Sequence, residues 1–252
     1  MTLKYENKKL RQGYSQVIGC DEVGRGCLAG PVVAAAVVLP YDAAGDKLKV
    51  HKVYKVIKDS KLLTPRKREE LSAIIKSIAV AWSIGEVSPD VVDEINVHNA
   101  SLLAMKKAVD GLAFASIPEF FAADGNHKRK KYPGSRTQQT SVNRISGSRL
   151  SAALVRDGTR GMFLFVDGKF KIPNLDISQE AIVDGDNKVL SIAAASIIAK
   201  VYRDNLMRNL HQQYPIYNLA QHKGYATEHH RAMVLKHGLS SIHRKTFCAS
   251  LV

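Results

Sequence analysis

The segment from Gln16 to Leu39 constrains the chain most. A short run, Gln16 to Cys20, and a longer apolar one, Pro31 to Leu39, flank the stretch DEVGRGCLAG. β-Branched residues bounded by Gly and Pro favour strand over helix. The expectation is two strands around a glycine-rich turn, with Asp21 and Glu22 following the first strand.

Further along, Thr64-Pro65 is an N-cap and first-turn pair that predicts a helix over about 66 to 77. A strand, Ala79 to Val87, follows. Ser88-Pro89-Asp90 opens a short helix by the same logic, and Asn99 to Leu112 forms a second one with an apolar face. Met162 to Val166 is a buried-strand sequence that stops at Asp167-Gly168. Leu190 to about Tyr214 predicts a long helix whose small residues let it pack closely on something flat. A last helix runs from about Thr227 to His237 and stops at Gly238. The pattern is α/β, with a mixed sheet flanked by helices and a helical C-terminal portion at about 190–252. The length, 252 residues, allows one large domain or two small ones.

The segment 125–161 departs from this pattern. It is polar, basic and poor in large hydrophobes, the character of a surface insertion. Charge is the point at which composition matters. The chain has 37 Lys or Arg against 23 Asp or Glu, a formal balance of +14. Residues 125–165 alone hold nine basic residues against one acid, Asp157, so more than half of the excess sits there. A positive excess favours polyanionic partners, because each neutralised phosphate releases condensed counterions; charge that serves only solubility is the alternative. Cys20, Cys27 and Cys248 show no C-x-x-C spacing, so neither a disulfide framework nor a zinc ribbon is supported, and a reducing cytoplasm fits. The apolar run from Ala29 to Leu39 is too short to span a bilayer, and the N-terminal stretch has no signal-peptide character. No membrane association is expected.

Three places put carboxylates where chemistry could use them: Asp21-Glu22, Asp167-Gly168, and Asp184-Gly185-Asp186 before the long helix. The carboxyl ends of strands in an α/β sheet are the usual ligand side. Acids that meet there cannot all stay ionised without a cation. Oxygen ligands alone point to Mg2+ or Mn2+ rather than zinc, and with the basic charge they suggest metal-assisted chemistry on a phosphodiester. Each Asp-Gly taken alone is an ordinary turn. Gly24-Arg25-Gly26 is too short for a dinucleotide fingerprint, and no G-x-x-x-x-G-K-[ST] motif occurs. A G-R-G turn exposes backbone groups that suit close approach to a sugar-phosphate chain; a tight turn with an exposed arginine is the plainer reading.

Six blocks, IGCDEVGRGCLAGPVVAAAVVLP, DSKLLTPRKREEL, DEINVHNASLLAMKKAVDGL, FVDGKFKIP, EAIVDGDNKVLSIAAASIIAKVYRDNLM and YPIYNLAQHKGYATEHHRAMVLKHGLSSIHRKTF, resemble ribonuclease HII in order and spacing. The resemblance implies an RNase H-like fold and an endonuclease that cuts the RNA strand of RNA–DNA hybrids and cuts 5′ to ribonucleotides embedded in duplex DNA. It implies Asp21, Glu22, Asp167 and Asp186 as the catalytic, metal-holding acids: Asp21 shared between two ions, Glu22 and Asp167 completing the first site, and Asp186 helping to hold the second. The products would carry 3′-hydroxyl and 5′-phosphate ends. Substrate contacts carried over are Gly24, Arg25 and Gly26, which read the 2′-hydroxyl through backbone atoms, and Tyr225, which stacks on the adjoining deoxynucleotide sugar. Lys61 and Lys200 match as phosphate contacts. His222 and His243 lie in matching blocks and read as structural. The implied organisation is a single catalytic domain over 1–252 with the basic insertion at about 125–161; the implied state is a monomer, and no clamp-binding tail is visible after Phe247.

The chain departs from the family pattern at Cys27, where Pro is usual and where a thiol near the metal site is an oxidation liability, and at Asp184, where Lys is usual. A competing third acid is Asp124 in FFAADGNHK; Asp167 is preferred because MFLFV makes the better central strand. Two rival functions are a non-catalytic basic nucleic-acid-binding protein with an RNase H-like core, and another two-metal nuclease or a Holliday-junction resolvase on the same fold.

Overall fold

A computed structural model describes residues 3–41, 57, 64–112 and 160–251. Five strands form one mixed sheet: β1 (Tyr14–Val23), β2 (Val32–Val38), β3 (Ala81–Val87), β4 (Arg160–Asp167) and β5 (Ser178–Ile182). They lie in the order β3-β2-β1-β4-β5. β1 pairs antiparallel with β2 and parallel with β4, so the carboxyl ends of β1 and β4 share one edge of the sheet. Every residue of β2 is buried, as a strand covered on both faces requires.

The helices are α1 (Lys4–Arg11), α2 (Pro65–Ile78), α3 (Pro89–Asp110), α4 (Gly185–Lys188), α5 (Leu190–Gln213), α6 (Leu219–His222), α7 (Glu228–His237) and α8 (Lys245–Cys248), with a 3-10 turn at Pro215–Tyr217. One core lies between the sheet and α5, built from Val17, Ala35, Val37, Phe163, Phe165, Ala194 and Ile198 among others. A second lies on the opposite face under α3, with Ile18, Ala34, Leu164, Ala104 and Met105. Period-two alternation along β1 and β4 divides their side chains between the two cores. The close approach of α5 has a local cause. A Cβ on Gly19 would lie 2.0 Å from the Ser191 carbonyl carbon, so the helix start rests directly on bare strand backbone.

Thr64 accepts from the Lys67 amide at the head of α2, as expected, whereas Ser88 makes no side-chain cap at the head of α3; α7 ends at Gly238 as expected, and at its head Thr227 accepts from the His230 amide. Four boundaries differ from the sequence expectation. β1 continues through Asp21 and Glu22 to Val23 rather than ending before them. The two helices expected over 88–112 are the two segments of α3, which meet at Asn96, so the second begins before the expected Asn99; at Asn96 φ is 63° and Oδ1 accepts from the amides of His98 and Asn99 at 3.0 and 3.1 Å. That carboxamide restarts the helix as an internal N-cap. The N-terminal stretch forms α1, and β5 adds an edge strand that has no strong apolar signal. The insertion expected at 125–161 lies almost wholly outside the described residues. Among those described, no helix is long and apolar enough to cross a membrane.

Candidate active site

Parallel pairing sets Cys20 opposite Val166, so the next residues, Asp21 and Asp167, stand side by side at the adjoining strand ends. Asp21, Glu22 and Asp167 each offer a carboxylate oxygen within 4.8 Å of the others. Each acid is held differently. Asp21 is buried and its Oδ1 accepts from the Glu22 amide at 2.7 Å. Asp167 Oδ1 accepts from the Gly185 amide at 2.6 Å, which ties β4 to the start of α4. Glu22 Oε1 accepts from Arg25 at 2.9 Å, while its Oε2 is buried with no hydrogen-bond partner.

The electrostatics are those of a crowded anionic site. Burial pushes the Asp21 carboxyl well above the usual carboxylate range, and Glu22 and Asp167 beside it push further, against a hydrogen bond from Ser196. Burial also raises Asp167; the Gly185 amide opposes the shift and Asp186 adds to it. A buried, unpartnered carboxylate oxygen is costly. Together with three converging acids it is the donor set of a hard divalent cation, and the residues fit one.

Beside the acids, the chain from Gly24 to Pro31 is held by two fully buried arginines. Arg203, on α5, donates to the carbonyls of Pro31, Lys223 and Ala29 at 3.0, 2.9 and 3.1 Å. Arg244 donates to Gly30 and, at 2.8 Å, to the Arg25 carbonyl. Gly24 has φ 92°, and a Cβ there would meet the Arg203 guanidinium; at Gly26 a Cβ would meet nothing. The G-R-G turn therefore has a packed inner end and an open outer one. Tyr225 adjoins it through a bridge to Cys27, and the residue is 40% exposed. Lys200 pairs with Asp204 at 2.8 Å, and its ammonium lies 5.6 Å from the Tyr225 ring centroid.

Comparison with known proteins gives the arrangement a lineage. The family model described as Ribonuclease HII matches residues 18–153 and 128–250. The ribonuclease HII of Bacteroides thetaiotaomicron is 39% identical over 247 residues, covering 98% of this chain and 94% of the relative. The chain belongs to the ribonuclease HII family. The ribonuclease HII of Alkaliphilus metalliredigens is 38% identical and covers 99% of the chain and 98% of the relative. Among solved structures, the ribonuclease HII in the PCNA complex from Archaeoglobus fulgidus shares the fold with a TM-score of 0.60 at 22% identity, over 93% of this chain and 96% of that one. A Bst ribonuclease HIII in complex with Mn2+ does so with a TM-score of 0.57 at 16% identity, over 96% of this chain and 72% of that one. Membership of the ribonuclease HII family makes the chain a ribonuclease H, an endonuclease of RNA–DNA hybrids that depends on divalent metal.

The geometry brings together Asp21, Glu22 and Asp167, with Asp186 close enough to act electrostatically on Asp21 and Asp167. Asp184 is exposed, with φ 53°, and lies outside the cluster. Lys61 and Asp124 fall outside the described residues. Cys27 corrects the oxidation expectation: the side chain is fully buried, and burial pushes its thiol up despite Arg203, Arg244 and Lys200 nearby. A buried protonated thiol is inert. Sequence reasoning missed Arg203, Arg244 and Ser196. The two arginines lie in the quoted blocks ending YRDNLM and IHRKTF, but an arginine in one sequence carries no sign of being buried.

Proposed function

We propose that this ribonuclease HII cuts the RNA strand of RNA–DNA hybrids and also cuts 5′ to single ribonucleotides embedded in duplex DNA, leaving 3′-hydroxyl and 5′-phosphate ends. The observation that carries the reading is the convergence of three carboxylates, one oxygen of them buried and unpartnered, beside a turn whose backbone is presented at an open edge. Asp21, Glu22 and Asp167 would hold a divalent ion, Mg2+ or Mn2+, and Asp21 with Asp186 a second. When bound, the ions supply the positive charge that the attacking water and the crowded phosphodiester oxygens require. The protein's own contribution is orientation. Asp21 is fixed by the Glu22 amide and Asp167 by the Gly185 amide, so the acids need no reorganisation when substrate arrives.

Specificity rests on the 2′-hydroxyl, which both donates and accepts. The backbone of Gly24, Arg25 and Gly26 reads it. Arg244 takes up the Arg25 carbonyl from the inner side and keeps the turn in place. Tyr225 offers its half-exposed ring to the sugar of the adjoining deoxynucleotide, and Lys61 contacts a phosphate. The chain acts as one catalytic domain and as a monomer. The basic stretch at 125–161 adds non-specific duplex affinity through its excess of Lys and Arg. Three free, buried cysteines suit a reducing compartment and a cytoplasmic site of action.

The test is a duplex DNA with one ribonucleotide, incubated with Mg2+ or Mn2+. The expected result is a single cut 5′ to the ribonucleotide by the wild type and none by Asp21→Asn. No cut by the wild type, or an undiminished cut by the variant, overturns the reading; the second result would favour a basic binding protein without catalysis at these acids.

A further inference from the structure

Three histidines lie buried behind Tyr225, and their contacts fix every ring proton. The Ser240 amide donates to His243 Nδ1 at 3.0 Å, so that nitrogen carries a lone pair. A neutral His243 then bears its proton on Nε2, which faces His230 Nε2 at 3.1 Å. His230 must accept there, which places its own proton on Nδ1, 2.9 Å from the Tyr225 carbonyl. His222 stacks on His230 with ring centroids 4.2 Å apart. It accepts from the Gly224 amide on Nδ1 and directs Nε2 to the Tyr217 carbonyl at 2.6 Å. The chain of donors runs one way, from Ser240 through His243 and His230 to the main chain of Tyr225.

An added proton fits this arrangement poorly. On His243 it would set Nδ1–H against the Ser240 amide, with the Ser240 hydroxyl at 2.9 Å to receive it only by giving up its own donor role, and on His230 it would set two N–H groups 3.1 Å apart. The charged and titratable groups facing the rings are His229 on α7, Lys223 after α6, and Tyr217, which packs edge-on against His243 and whose hydroxyl donates to Gly238. His229 and Lys223 are cationic when charged, so they oppose protonation. Burial accordingly pushes all three imidazoles below their usual range, His222 to about 4.

We propose that His243 and His230 are positioning residues, a neutral imidazole relay that holds the Tyr225 main chain and thereby sets the ring that meets the substrate sugar. The Tyr225 carbonyl also accepts from the Thr227 amide and the Tyr225 amide donates to the His222 carbonyl, so the relay completes a clamp around one residue. The proposal rests on the reading of Tyr225 as a substrate contact, and its test separates the two.

Imidazole 15N spectra of the full chain at pH 7.5 should show His243 and His222 as Nε2–H tautomers and His230 as the Nδ1–H tautomer; His230 observed as Nε2–H, or charged, overturns the relay. This measurement needs no variant and stands even where a variant fails to fold. Kinetics on the single-ribonucleotide duplex then compare Tyr225→Ala, His230→Ala and His230→Asn, whose amide nitrogen takes the place of Nδ1. The expected result is a KM raised about tenfold in the first two with kcat within about threefold, and recovery in His230→Asn. A raised KM in Tyr225→Ala with none in His230→Ala overturns the relay alone. An unchanged KM in Tyr225→Ala overturns the substrate role of Tyr225 and the proposal with it.

Discussion

A side chain at Gly24 would occupy the space that Arg203 fills, since an added Cβ lies 2.2 Å from its Nε. Arg203 cannot withdraw, because its guanidinium is spread over the carbonyls of Pro31, Lys223 and Ala29. Gly24→Ala combines this overlap with a φ of 92°, and the expected cost is about 2–4 kcal/mol of stability with at least a tenfold loss of activity. Gly26→Ala meets open space. It should unfold within about 0.5 kcal/mol of wild type, so any lost cleavage reports the substrate contact and not the fold. Thermal unfolding beside cleavage of the single-ribonucleotide duplex separates the two variants.

Arg203 is also a test of geometry against charge. Arg203→Lys keeps the positive charge but cannot reach three divergent carbonyls with one ammonium. Stranding buried carbonyls costs about 1–3 kcal/mol each, so the expected loss is a few kcal/mol. A denaturant melt indistinguishable from wild type would refute the role assigned to the fork.

Crowding of the acids predicts opposite effects on stability and activity. Asp21→Asn removes one negative charge from beside Glu22 and Asp167 and should raise the unfolding temperature of the chelator-treated protein. Cleavage should fall by at least about a hundredfold. Adding Mn2+ at about a hundred times its dissociation constant should stabilise the wild type by about 2.7 kcal/mol, and much less so the variant. Differential scanning with and without EDTA gives both readings.

The buried imidazoles make a signed prediction about pH. Their folded values are depressed below the unfolded value near 6.5. The unfolded chain therefore binds more protons in that window, and the stability they contribute is full above about pH 6.5 and is lost as pH falls toward the folded values, about 4 for His222. His230→Asn should weaken that acid loss. Equilibrium unfolding at steps between pH 7.5 and 5 measures it.

Much of this site was legible because its signals are local. Asp21, Glu22 and the G-R-G turn occupy six consecutive positions, and Thr64-Pro65, Thr227 and Gly238 each mark a helix end by their own chemistry. Asp167 could be read from the strand that precedes it. The roles of Arg203 and Arg244 were not legible, because their partners are carbonyls as far as 174 and 219 residues away in the chain. The break between the two halves of α3 was legible, but its place was read as Asn99 rather than Asn96, because either asparagine can cap a helix and one sequence does not choose between them.

Glu6 has a consequence for how the chain is made. Its Oε1 accepts from the amide and hydroxyl of Ser191 and caps α5 from the other end of the sequence, where Val189 offers no side-chain cap. α1 is thus synthesised 185 residues before the group it serves, and β1 waits almost as long for β4. During translation the strand that carries Asp21 and Glu22 has β2 to pair with but no parallel neighbour. The cluster of Asp21, Glu22 and Asp167 is therefore assembled late, after most of the polypeptide has left the ribosome.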